Sequence, residues 1–229
     1  MGKQTVRFGY ASAWLLSLLT IITFIIAILT PPISGPGCLK NCIDYPYLDI
    51  ISRFPRDYFW IFPAILILIL NIVLFSNLVL FTKPGKKVYS ITGLSFAVIS
   101  ATLLIADYYI QVSVIQPSLL RNETEGIALL TQYNPHGVFI ALEEIGYFLM
   151  SLAFFCLFPV FSWHEKGQRV LKLNFLTGFP AILLSLFIIS MKHGLQREYY
   201  FEIASITICW IEMIIAGIFL GKLYRSAGI

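Results

Sequence analysis

The sequence predicts an all-α, polytopic membrane protein with six transmembrane helices and both termini cytoplasmic. Three observations carry this expectation. First, hydrophobic residues make up 58% of the 229 residues and charged residues only 12%, about half the soluble norm of roughly 25%. A chain this apolar cannot cover its own surface with polar groups, so the bilayer has to serve as its solvent. Second, six runs reach the roughly 20 apolar residues that a helix needs to cross hydrocarbon, at 10–30, 59–82, 89–116, 136–162, 171–191 and 201–222. Third, the net charge of +4 is held in short basic clusters between those runs. That distribution is a topology signal and excludes a nucleic-acid footprint.

The first run follows Lys3 and Arg7 and extends about 19 residues. It is longer than a signal-peptide core, and no A-x-A site precedes Pro31-Pro32, so it reads as a retained helix. Residues 31–58 form an extracytoplasmic loop with too many apolar groups to wave in water: Tyr45, Tyr47, Ile50, Ile51, Phe54 and Tyr58. The expectation is a lid across the bundle mouth, with a short amphipathic helix at 46–54. Within it, Cys38 and Cys42 have a C-x3-C spacing that fits neither a redox motif nor a zinc half-site. They are a disulfide candidate or two free thiols, whereas Cys156 and Cys209 lie inside apolar runs as small buried hydrophobes.

The second and third runs are joined by the tight turn "TKPGKK". Before the fourth, Asn134 suits an N-cap and Pro135 the first helical position. The word "FPAIL" occurs in both the second and fifth runs, at 62–66 and 179–183. Two inverted three-helix halves would make these equivalent helices, although little else aligns at that offset. In the sixth, Gly217 and Gly221 form a small-xxx-small packing motif, for contact within the bundle or in a homodimer.

Orientation follows from the positive charges. Lys3, Arg7, Lys83, Lys86, Lys87, Lys166, Arg169, Lys172, Lys222 and Arg225 fall on the side of the termini. Lys40, Arg53, Arg56, Arg121, Lys192 and Arg197 fall on the other. The denser side is cytoplasmic by the positive-inside rule, which places both termini there and the 31–58 and 117–135 loops outside.

Carboxylates inside the runs raise the functional question, because an ionised group at bilayer depth costs several kcal/mol or more and reads as a site by default. At helical spacing, Asp107 shares a stripe with Ser100, Gln111, Val114 and Ser118. Glu143 aligns with His136, Ile140 and Tyr147, and Glu144 with Gly137, Ala141 and Ser151. Glu212 aligns with Ser205, Cys209 and Ala216. Every acid thus sits on a small or polar face, as in a bundle interior. None of the sixteen Lys and Arg residues lies deep in a run, so the acids must be protonated, hydrated, bound to a cation or capped by lid arginines such as Arg53 and Arg56. The expected ligand site comprises Asp107, Tyr108, Gln111, His136, Glu143, Glu144, Tyr147, Trp210 and Glu212.

Such an outward-facing acidic and aromatic pocket suits binding or transport of a cation, a cationic amphiphile or a lipid-like molecule. An intramembrane acid–base enzyme acting on a lipid or isoprenoid is the alternative from another class. An accessory or structural membrane subunit, with a polar interior that only specifies packing, is a third. No G-x-S-x-G, H-E-x-x-H, Walker or G-x-G-x-x-G motif is present. The sequence therefore designates no catalytic residue, cofactor or metal site, and its implied partners are the lipid bilayer, the small ligand and a homodimer or membrane complex.

The stretch "DYYIQVSVIQPSLLRNETEGIALLTQYNPHGVFIALEEIGYFLMSLAFFCLFPVF", together with "RFPRDYFWIFPAIL", resembles an uncharacterised family of small six-helix membrane proteins of bacteria and archaea. The resemblance covers about half the chain, from the second run to the fourth. It implies a prokaryotic inner-membrane protein of the topology above and attaches no activity, ligand or catalytic residue to it.

Overall fold

Six helices long and apolar enough to cross a membrane dominate the computed structural model, which describes residues 3–30 and 32–227. They are α1 (Lys3–Leu29), α2 (Ile61–Phe81), α3 (Lys87–Ile110, extended to Leu120 as described below), α6 (Val138–Leu157), α7 (Lys166–His193) and α8 (Tyr199–Ser226), with the short helices α4 (Gln116–Leu120) and α5 (Ile127–Leu130) between α3 and α6. Helix is the expected solution, because hydrocarbon offers no partner to a free backbone N–H or C=O. No strand occurs among the described residues.

The helices pack in a ring, α1 against α2, α2 against α3, α3 against α6, α6 against α7, α7 against α8 and α8 against α1. Contact between α6 and α8 closes the middle. Gly9 near the start of α1 meets the Tyr224 ring near the end of α8, so both ends of the chain lie on one face, here the terminal face. The opposite, loop face carries residues 32–60, 121–137 and 194–198.

Two boundaries differ from expectation. The third run continues through a π-helical turn, Gln111–Ile115, into α4 (Gln116–Leu120). The extra residue in that turn shifts the interior stripe by one position. Ser100, Asp107 and Gln111 are buried as expected, but the stripe then passes to Ile115 and Leu119, and Val114 is 42% exposed. Near the fourth run, Asn134 caps a turn instead of the helix: its Oδ1 accepts from the His136 N–H at 2.9 Å, and its carbonyl accepts from the Gly137 N–H. Helix α6 begins only at Val138, with Gly137 as N-cap.

The repeated "FPAIL" words are not equivalent in place. Pro63 sits in the first turn of α2, where a missing N–H costs nothing, whereas Pro180 lies mid-helix in α7. Gly217 and Gly221 pack inside the bundle. A side chain on Gly217 would collide with the Ala13 carbonyl and Ser17 of α1, and one on Gly221 would come within 2.6 Å of Trp14 Nε1. Ser17 Oγ completes the seam by donating to the Ile214 carbonyl at 2.7 Å.

Of the 31–58 segment, Pro31 lies outside the described residues. A short 3-10 helix, Leu48–Arg53, falls within the expected 46–54 and buries Ile50. Cys38 and Cys42 are joined by a disulfide. The Ser34 hydroxyl bonds the Tyr199 hydroxyl at 2.7 Å. Gly35 has φ +67°, and a side chain there would strike the Tyr199 ring, so both its backbone and the contact require glycine. The second loop is held by Gln111, which donates to the Leu130 carbonyl (2.8 Å) and accepts from the Gln132 N–H (3.0 Å).

Candidate functional site

A cleft of about 500 Å³ opens on the loop-face side between α1, the start of α2, α6 and α8. Its walls are mainly apolar and aromatic, including Phe24, Trp60, Phe139, Tyr199, Ile206 and Trp210. Three charged side chains line it, Asp57, Glu143 and Glu202, and all three are acids. No Lys, Arg or His contributes to its wall among the described residues.

Glu143 is 2% exposed and sits at the end of a relay of donors. Tyr108 donates its only hydroxyl proton to Glu143 Oε1 at 2.6 Å. The 2.8 Å contact between the Tyr108 and Tyr147 hydroxyls must therefore run from Tyr147 to Tyr108. Trp210 Nε1–H in turn donates to the Tyr147 oxygen at 3.2 Å. Trp210, Tyr147 and Tyr108, from three helices, thus align their dipoles toward one carboxylate oxygen. Such a chain favours negative charge at its end.

Glu202 stands in the first turn of α8, with its carboxyl within hydrogen-bonding reach of that of Glu143. Neither carboxyl has a basic partner among the described residues. Asp107 is also buried at this level, and its Oδ2 has no hydrogen-bond partner. Asp57 differs from these acids because Arg56, largely exposed, engages both its oxygens, at 2.5 and 3.0 Å.

Beside Asp57 the wall turns polar. The hydroxyls of Tyr58 and Tyr133 and the amide nitrogens of Gln116 and Gln132 gather there, buried and without a hydrogen bond of full geometry. Burial, with Tyr58 and Asp57 alongside, raises the Tyr133 phenol above its ordinary range. It therefore meets the cleft as a neutral donor.

The expected site residues divide into five places. Glu143, Trp210 and, behind them, Tyr108, Tyr147 and Asp107 cluster at the cleft. Gln111 holds the second loop instead of lining the cleft. His136 is exposed and precedes α6, so the helical stripe with Glu143 never forms there. Glu144 points to the α8 side, where Arg197 from the 194–198 loop reaches its Oε2 at 3.3 Å. Arg53 and Arg56 cap none of the helix-borne acids: among the described residues the only ion pairs are Arg56–Asp57 and Arg197–Glu144.

Glu212 occupies a separate position deeper in the bundle. Ser151 of α6 donates to its Oε2, and Asn174 of α7 donates to its backbone carbonyl at 3.0 Å. Its carboxyl fills the space left by the absent side chain of Gly178, and Oε1 is unpartnered. The acid joins three helices and does not line the cleft.

Sequence reasoning missed Glu202, Arg197 and Asp57, together with the aromatic wall of Trp60, Phe139 and Tyr199. An acid in a first helical turn reads as a partner of the helix dipole. Its position one turn below the mouth, opposite Glu143, emerges only when α6 and α8 are docked. No group of three or more His, Cys, Asp or Glu is arranged to hold a metal ion among the described residues. Comparison of the chain with protein-family models, curated proteins and solved structures finds no match.

Proposed function

We propose that this is a multi-pass protein of a prokaryotic plasma (inner) membrane, with cytoplasmic termini, whose cleft binds an organic cation on the extracytoplasmic side. The single observation that carries the reading is the sign of the cleft: each of its charged side chains is an acid, and only Asp57 has a basic partner. The Glu143 and Glu202 carboxyls meet the cleft with no cation beside them. Aromatic faces from Trp60, Phe139, Tyr199 and Trp210 surround it, an arrangement that suits alkylated ammonium groups through cation–π attraction. Toward the terminal face, the Phe75, Phe154 and Phe175 rings pack in succession at 5.1 and 5.3 Å between centroids. Binding from the loop face needs no rearrangement of that stack, whereas transport would require it to part.

The test is a titration of the purified protein with tetramethylammonium, followed by the fluorescence of the cleft tryptophans Trp60 and Trp210. Saturable binding is expected, with Kd raised about tenfold or more by Glu143→Gln, equivalent to about 1.4 kcal/mol. Equal binding of an uncharged isostere such as neohexanol, or an unchanged Kd in Glu143→Gln, would overturn the reading. Orientation is tested separately. Cysteines placed in the Lys83–Lys87 turn should react with an impermeant thiol reagent only after the cytoplasmic face is opened.

A further inference from the structure

Helices α1 and α8 are close over only part of their length. Near the terminal face they touch through glycines, Gly9 against Tyr224, Gly217 against Ala13 and Ser17, and Gly221 against Trp14. Small residues permit that approach. Toward the loop face the glycines give way to bulk. The Phe24 and Trp210 rings meet edge to face at 5.5 Å, and beyond them the facing residues are Ile28 on α1 and Ile203 and Ile206 on α8. All of these line the cleft. At its rim Ile28 is 70% exposed and Ile203 58% exposed, and in a spanning helix such side chains face lipid.

The water side of the same cleft is covered in part by segments bonded to one another. Ser34 is bonded to Tyr199, Gly35 lies against the Tyr199 ring, and Gln111 fastens the 130–132 backbone. Among the described residues no comparable bond crosses the α1–α8 gap at Ile28 and Ile203. The cleft thus has a polar, bonded cover and an apolar, unbonded side.

We infer that the ligand is a long-chain amphiphilic cation admitted sideways from the bilayer, with its head at Glu143 and Glu202 and its chain between α1 and α8 at Ile28 and Ile203. This inference rests on the cation-binding reading above. It also accounts for a cleft that is acidic at one point and apolar over most of its wall. A chain moving from lipid into this slot exchanges one apolar surface for another, so the ionic head supplies the selectivity. The rim decides whether the chain fits.

The full-length protein in nanodiscs of zwitterionic lipid would be titrated with hexadecyltrimethylammonium through the bilayer and with tetramethylammonium through water, again by tryptophan fluorescence. Hexadecanol serves as the uncharged long-chain control. The parent should respond to a few mole per cent of the long-chain cation and not to hexadecanol. In Ile28→Trp and Ile203→Trp, which narrow the gap, the half-saturating amount of hexadecyltrimethylammonium relative to tetramethylammonium should rise about tenfold. The double variant Ile28→Ala/Ile203→Ala, which leaves the gap open but removes contacts, guards against a tryptophan that misfolds the protein. It should shift the same ratio in the same direction by a smaller factor.

An unchanged ratio in all three rim variants would overturn lateral admission while leaving the cation site intact. A response to both cations that survives Glu143→Gln would overturn the cation site itself, whatever the rim variants do.

Discussion

The two halves of the bundle solve opposite problems with the same helices. In the terminal half, glycines and stacked rings bring backbones together: Gly93 lies against the Ala153 carbonyl, Gly217 against Ala13, and Phe154 stacks on Phe175. In the loop half, tyrosines, tryptophans and acids hold the same helices apart around a cleft. Lipid gives no hydrophobic drive for helices to associate, so close packing and interhelical hydrogen bonds must supply it. The contrast teaches that the terminal half holds the fold while the loop half can carry unpaired acids at a local cost.

The division is broken most severely by filling a glycine seam. Gly217→Leu would force its side chain into the Ala13 carbonyl, a backbone atom that cannot step aside. Overpacking costs about 1–3 kcal/mol and occasionally more, and a clash with backbone belongs at the upper end. The expected outcome is a large fall in melting temperature in detergent, with loss of monodisperse protein. Gly126→Leu, at a loop glycine with nothing within 4 Å but φ +78°, should cost less. Equal melting temperatures for Gly217→Leu and the parent would show that the α1–α8 seam is not what holds the terminal half.

A smaller effect separates the two kinds of buried acid. Glu212 bridges α6, α7 and α8, so Glu212→Gln should act on stability. It would place an amide against Gly178 with no acceptor there, at a cost of about 1 kcal/mol. Tetramethylammonium affinity should not change. Tyr108→Phe should do both: it removes the donor to Glu143, costs about 1–3 kcal/mol for the unsatisfied partner, and weakens cation binding because the relay from Trp210 no longer reaches the carboxylate. Thermal melts and titrations run on the same preparations read the two effects apart. If Glu212→Gln lost the cation and Tyr108→Phe kept it, the assignment of the acids to the two halves would be reversed.

Much of the fold is legible in the chain, because the bilayer imposes length and composition on every span independently of its neighbours. The six helices, the buried stripe through Ser100, Asp107 and Gln111, and the short helix in the first loop can all be read one segment at a time. What escapes is whatever depends on two segments together or on a break in periodicity. The π-turn at Gln111–Ile115 leaves no residue signature, so Val114 and Ser118 read as interior positions. Asn134 satisfies the N-cap rule but spends its side chain on a turn. Gly217 and Gly221 announce close packing without naming α1 as the partner. Glu202 looks like an acid at a helix start until α6 brings Glu143 opposite it.

The smallest effect expected is at the Glu143–Glu144 neighbours, the sharpest test of how one helix serves both purposes. Adjacent positions point about 100° apart. Accordingly Glu143 turns to the cleft, whereas Glu144 leaves it and meets Arg197 at 3.3 Å. The pair is partly open to its surroundings, with the Arg197 side chain 30% exposed, and the Arg197 guanidinium also lies over the Phe201 ring. Pairs of this kind contribute about 0–1 kcal/mol. Glu144→Gln and Arg197→Gln should therefore each lower the melting temperature slightly, and the double variant should fall little further, since either change already breaks the bridge. Neither should move the tetramethylammonium Kd more than the experimental scatter, in contrast to Glu143→Gln. If Arg197→Gln instead tightened cation binding, Arg197 would be acting on the cleft charge from a distance, and Glu144 would have to be counted with Glu143 and Glu202.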